Sequence, residues 1–229
     1  MVEGDTVMIV ACRLCWWGMV RSLIVEGANV DAMEGEGKKA LQVACRAADK
    51  ELNSKDKDED FFFLRPSYDP QRVDSAVRST VSGALKDLLK KTSDVADLKI
   101  TSRQEIDDDS LIYFFSCHEF KELLLLSFSR GVDIDAVDRD RWTALMNSAG
   151  RARPAYMKIL VKNGADVNRM NACHETALFA AIDRDNDVFP HAWPIEESFI
   201  SSVHTVVEIL LDWGADVNAR SETGATVLY

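Results

Sequence analysis

The chain has 229 residues, 47% of them hydrophobic and 28% charged, with a formal net charge of −11 at pH 7. This composition suits a globular chain in water, and no stretch approaches the roughly 18 apolar residues of a membrane-spanning helix. The acidic balance repels phosphate backbones, and no basic patch with interleaved aromatics is present, so nucleic-acid binding is disfavoured and basic partners are favoured.

One string sets the register for everything else. Residues 164–168 and 214–218 both read Gly-Ala-Asp-Val-Asn, and blurred copies stand at 27–31 and 131–135. Each copy follows an apolar stretch of helical spacing. Gly131 to Gly164, Thr143 to Thr176 and Gly4 to Gly37 are all 33 residues apart. That period marks stacked supersecondary units of a turn and two helices.

In chain order, the first unit spans about 1–32, with Thr6, Met8 and Ala11 in its first helix and Val20, Leu23 and Ile24 in its second. The second, 33–97, opens with Leu41 and Ala44, breaks off near Lys50 and resumes at Leu85, Leu88 and Leu89, so an insert of about 50–82 parts its helices. The third, 105–137, is the least typical, with Ser110-Leu111-Ile112-Tyr113 at its start. The fourth, 138–170, and the fifth, 171–220, carry Thr143-Ala144-Leu145 and Thr176-Ala177-Leu178. The fifth holds a second insert at about 186–202, with Pro190 and Pro194. A partial sixth unit occupies 221–229.

The residue types suit such a unit physically. Thr at a helix start accepts from free backbone amides. Ala11, Ala44 and Ala181 let paired helices approach, and Leu, Ile and Val recur at helical spacing to fill the seam. Gly after the second helix is a left-handed cap, and Asp-Val-Asn makes an extended arm with Val inward.

In this register the chain resembles the ankyrin-repeat family throughout. The resemblance implies an all-α fold, an ankyrin-repeat solenoid of stacked helix-turn-helix units with short β-hairpin tips. No copy has the Pro or the His of the family's Thr-Pro-Leu-His step; the pairs here include Val7/Ile9, Ala40/Gln42, Leu111/Tyr113 and Ala144/Met146. Losing that His removes a hydrogen-bond network, so more hydrophobic packing and a less regular, more frayed stack are expected.

Little else in the sequence carries chemistry. Cys12-Arg13-Leu14-Cys15 has the spacing of half a zinc site, but no second half exists. Cys12 and Cys45 stand at one point of successive units and read as small packing residues, whereas Cys15 and Cys117 read as partly exposed. His118, His174, His191 and His204 are scattered, with no nucleophile motif beside them. The acidic run 56–60 is followed by Phe61 where a calcium loop needs Gly. No catalytic residue, metal or cofactor is assigned, and the chain is read as no enzyme. Five cysteines, an odd count, and an N-terminus without a basic signal start point to a reducing, intracellular compartment, the cytoplasm or the nucleus.

The resemblance implies a protein or peptide partner held in the groove formed by hairpin tips and first helices, by a scaffold that itself is a monomer. Carried over by position, the candidate contacts are Asp138, Arg139, Asp140, Trp142 and Arg151 in the fourth unit, with Asn171, Glu175 and Arg184 in the fifth. Trp142 beside Arg139 has hot-spot composition, or it packs on its neighbouring hairpin. Trp16 and Trp17 pose a similar choice between shielding a terminal face and meeting a partner. The Phe61-Phe62-Phe63 run and the second insert, with Phe189, His191, Trp193 and Phe199, either cover the stack or dock a partner. Asn168 and Asn218, each preceded by Asp-Val, also resemble asparaginyl-hydroxylation sites of some ankyrin proteins. The alternative function is a substrate-positioning ankyrin segment of a larger enzyme, channel or adaptor continuing beyond Tyr229.

Overall fold

The structure, a computed structural model, describes residues 6–35, 37–53, 75–96, 98–101, 108–138, 140–182 and 197–227. The described residues form an all-α fold that divides into two compact units, one ending at Asp133 and the other starting at Ile134.

The first unit opens with α1 (Val7–Arg13) and α2 (Trp17–Val25). Thr6 caps α1, its hydroxyl accepting from the Ile9 amide at 3.4 Å. The chain reverses through Cys15, in the left-handed region at φ 57°. Next come α3 (Ala40–Asn53) and α4 (Ser75–Lys91). Lys39 stands where a capping Thr is expected, and the Gln42 side-chain oxygen accepts the Lys39 amide at 2.8 Å instead, the return half of a capping box.

Helix α3 has 14 residues against seven in α1, and distant residues hold its added length. The Trp17 indole donates to the Glu51 carboxylate, and His118 Nε2 lies 3.0 Å from Asp49 Oδ1. Helix therefore occupies both edges of the insert expected at 50–82. The acidic run at 56–60 and the three phenylalanines after it lie outside the described residues.

A short antiparallel pair, β1 (Lys99–Thr101) and β2 (Asp108–Ser110), leads into α5 (Leu111–Cys117) and α6 (Lys121–Ser129). Ser110 replaces Thr as the cap, accepting from the Tyr113 amide at 3.1 Å, so the least typical copy keeps the same helix start. The Arg130 guanidinium donates to the carbonyls of Lys90, at 2.7 Å, and Thr92. These lie at the C-terminal end of α4, where a helix leaves acceptors unmet and a partial negative charge. Phe115, Ile9, Leu41, Leu85, Leu88, Leu89 and Leu123 fill this unit's core.

The second unit contains α7 (Ala144–Gly150), α8 (Pro154–Lys162), α9 (Ala177–Ile182) and α10 (Glu197–Asp212). Thr143 caps α7 through the Met146 amide at 3.2 Å, and Pro154 fills a first-turn position whose amide would have no helical partner. Thr176 departs from the pattern: its buried hydroxyl has no partner among the described residues. First helices pack closely here. A Cβ built on Gly150 would lie 3.2 Å from the Ala180 carbonyl oxygen.

In the repeated pentapeptide, Gly164 and Gly214 have φ 95° and 82°. The amide after each closes the preceding helix, Ala165 onto Leu160 at 3.1 Å and Ala215 onto Leu210 at 2.9 Å. Gly164→Ala places a Cβ in this left-handed cap and is expected to lower the unfolding free energy by about 1–2 kcal/mol. Urea denaturation would show a lower midpoint at unchanged slope; an unmoved midpoint would argue against the strain.

Candidate protein-binding surface

Hairpin tips follow from short-range chemistry. Val137 and Thr143 form an isolated antiparallel bridge, as do Met33 with Lys39 and Arg220 with Thr226. The partners stand six positions apart each time, and the residue four past the first partner is left-handed: Gly37 at φ 78°, Arg141 at 63° and Gly224 at 82°. His174, at 60°, holds the same place in its hairpin. Arg141 and His174 are exposed at the turns, and the sequence reading did not single them out. Their alignment with Gly37 and Gly224 was the available signal.

Side chains at the base of each tip fix its shape. Asp138 Oδ1 accepts from the Trp142 amide at 2.7 Å, and the Asp138 amide donates to the Trp142 carbonyl at 3.1 Å. Asn171 does more. It is buried; its Oδ1 accepts from the amides of Cys173 and Glu175, each at 2.9 Å, and its Nδ2 donates to Glu175 Oε2 at 2.8 Å. Its polar atoms are thus committed to its own hairpin, as a support for the residues around it.

Successive tips of the second unit are zipped together. The Ala172 amide donates to the Asp140 carbonyl at 3.0 Å, and the Glu222 amide to the Cys173 carbonyl at 2.9 Å. Asp140, Arg141, Ala172, Cys173, His174, Glu222 and Thr223 are exposed along this ladder, while Trp142 and Glu175 are half-buried beside it. Arg151 is half-buried at the end of α7, with its Nε inside the protein. Arg139 and Arg184 lie outside the described residues, as do Phe189, His191 and Trp193 of the second insert.

The extended arms form a second set of links. The Asp166 amide donates to Asp135 Oδ1 at 3.0 Å, and the Asp216 amide to Asn168 Oδ1 at 2.8 Å. Asn168 Nδ2 returns a bond to the Gly214 carbonyl at 2.9 Å. Together, 33-residue spacing, hydroxyl-capped first helices, glycine-closed second helices and linked hairpins define one repeat type, and a family model described as ankyrin repeats (3 copies) matches residues 112–190. The chain is an ankyrin-repeat protein.

Ankyrin repeats are protein–protein interaction modules, and known ankyrin structures share this chain's fold. An ankyrin repeat domain from Acinetobacter baumannii AYE superposes with a TM-score of 0.64 at 21% identity, over 96% of this chain and 87% of that one. The ankyrin repeat domain of Bcl-3 gives 0.54 at 18% identity, over 99% and 93%. By sequence, ankyrin repeat and SOCS box protein 6 of Mus musculus is 31% identical over 87 residues, 38% of this chain and 17% of that protein. The putative ankyrin repeat protein FPV031 of Fowlpox virus (strain NVSL) is 26% identical over 130 residues, 56% of this chain and 33% of that protein. The matches thus span a third or less of these curated relatives.

The ankyrin thiols are quiet. No disulfide joins the five cysteines; Cys12 and Cys45 are buried, Cys15 and Cys117 half-buried, and Cys173 exposed. Burial pushes Cys12 up to about 12, with the nearby Cys15 adding to the shift. Burial and then the Glu51 charge push Cys15 up to about 11. Thiolate, the nucleophile and metal ligand, is suppressed at both. Among the described residues, no group of three or more His, Cys, Asp or Glu side chains is placed to hold a metal ion, and no helix is long and apolar enough to cross a membrane.

Proposed function

We propose that this ankyrin chain is a non-catalytic interaction module that holds a protein or peptide across the zipped hairpin tips and first-helix ends of its second unit. Asp140, Trp142, Arg151 and Glu175 supply the described contacts, with Arg139 and Arg184 as further candidates. Asp138 and Asn171 set the loop shapes. The bonds from Ala172 to Asp140 and from Glu222 to Cys173 carry this reading. They make the tips one pre-ordered surface, which lowers the entropy lost on binding. The net charge of −11 favours a basic ligand, and five cysteines without a disulfide fit a reducing, intracellular compartment.

The test is quantitative capture of partners by the chain and by its Trp142→Ala variant. Removal of a central aromatic anchor is expected to weaken binding by 2 kcal/mol or more, about thirtyfold. Undiminished capture of every partner would remove Trp142 from the site. Hydroxylation of Asn168 or Asn218 is a separate proposal, and an intact mass from cells without added oxygen would end it.

A second reading has one observation in its favour: the mouse relative names a SOCS box besides its ankyrin repeats, and the match covers 17% of it. On that reading the repeats position a substrate for another module of a longer chain. A reading frame running past Tyr229 into a further domain would support it, and a stop codon directly after Tyr229 would end it.

A further inference from the structure

Four hairpin turns of the chain close in the same way. The amides of Gly37, Arg141, His174 and Gly224 each donate to the carbonyl three residues back, on Glu34, Asp138, Asn171 and Ser221, at 2.8, 3.1, 3.2 and 2.8 Å. All four donors are left-handed. Glycine adopts that conformation freely, whereas a side chain there crowds its own backbone, so a glycine would relax the turns that Arg141 and His174 hold. Arginine is the sharper departure, since histidine tolerates the region better than most types. Two tips of the chain take the relaxed residue. The two adjoining tips of the candidate surface do not.

The fold makes no use of these two side chains. Both are exposed, and neither has a hydrogen bond or an ion pair among the described residues. Other left-handed residues are tied inward: Ala152 is buried in the turn between α7 and α8, and Cys15 Sγ donates to the Ala47 carbonyl at 3.6 Å. The bond from the Ala172 amide to the Asp140 carbonyl fixes the fourth and fifth tips side by side. A guanidinium and an imidazole therefore stand on neighbouring turns with their donors open to solvent. Strain kept at an exposed side chain without an internal partner marks a group held for an external one.

We infer that Arg141 and His174 together hold a carboxylate of the partner, an aspartate or glutamate side chain laid across the fourth and fifth tips. This rests on the tip-binding reading above and adds the chemistry of the group that is bound. Arginine takes a carboxylate through two parallel N–H donors, and the imidazole supplies a further one. Asp140 and Glu222 are exposed on the same ladder. They favour cationic residues on either side of the partner's acidic one, in keeping with the chain's charge of −11.

Random peptides displayed on phage and selected on the full chain test this. Peptides retained by the wild type and lost with Trp142→Ala are synthesised, and their binding is measured by fluorescence anisotropy. They are expected to share an Asp or Glu flanked by Lys or Arg. Arg141→Gly and His174→Gly are expected to weaken that binding, the arginine variant about tenfold. Their urea midpoints are expected to stay at or above that of the wild type, because glycine relaxes the turn. A peptide with Asn or Gln in place of its acidic residue is expected to bind the wild type and Arg141→Gly alike, which ties the loss to that one contact. Tip-binding peptides without a shared acidic residue would overturn the inference and leave the Trp142 reading standing. So would peptides bound by both glycine variants as by the wild type. A selection that yields no peptide lost with Trp142→Ala would remove both.

Discussion

Replacing Asn171 with alanine is expected to destabilise the second unit by about 2–4 kcal/mol, although the residue sits at a hairpin tip. The side chain satisfies two backbone amides and the Glu175 carboxylate. Removing it strands those groups in a half-buried turn, and each partner left unsatisfied costs up to about 1–3 kcal/mol. Asn171→Asp separates the contributions. It keeps the two amide bonds but sets a carboxylate against Glu175, so an intermediate loss is expected. Urea denaturation of the three proteins checks this order, and an alanine variant as stable as the wild type would return Asn171 to the pool of surface contacts.

Stability is also expected to fall steeply in alkali. The ordinary thiol value is 9.0, and burial holds the Cys12 thiol neutral up to about 12. Below pH 9 both folded and unfolded chains keep that proton, so the contribution is fully present. Above pH 9 the unfolded chain ionises while the folded one does not, and the contribution is lost as pH rises toward 12. One such thiol gives a slope of about 1.4 kcal/mol per pH unit, or about 4 kcal/mol over the interval. Cys45, fully buried, is pushed the same way by burial and adds to the fall. Cys12→Ala, which installs the residue that Ala149 supplies at this point of the fourth copy, is expected to shallow the slope by about 1.4 kcal/mol per unit between pH 9 and 10.5. Equal slopes in the two proteins would contradict the burial of a neutral thiol.

What the sequence made legible was whatever recurs. The caps at Thr6 and Thr143, the substitute cap at Ser110, the packing role of Cys12 and Cys45, and the glycines closing second helices all stand in register, and all are in the fold. Pairings without a period were not legible. The length of α3 depends on Trp17 reaching Glu51, 34 residues away, and on His118 reaching Asp49, 69 away. Neither contact leaves a trace in local composition. Left-handed turns at Cys15, Glu119 and Ala152 were hidden because these residue types carry no signal for that conformation, and those at Arg141 and His174 showed only in their alignment with Gly37 and Gly224. Within the candidate surface, chain position placed Asp140, Trp142 and Glu175 on the hairpins. It could not separate Asn171, whose side chain turns inward, from neighbours that face solvent.

Cys173 offers the most direct measurement, because this exposed thiol lies in the centre of the zipped tips. A short photoreactive group on Cys173, in a Cys117→Ser background, would be compared with the same group on Lys158→Cys of the exposed α8 surface in a Cys117→Ser, Cys173→Ser chain. The account predicts covalent adducts with a partner protein from position 173, diminished by Trp142→Ala, and none from position 158. Adducts that form from position 158 alone, or equally from both, would contradict it.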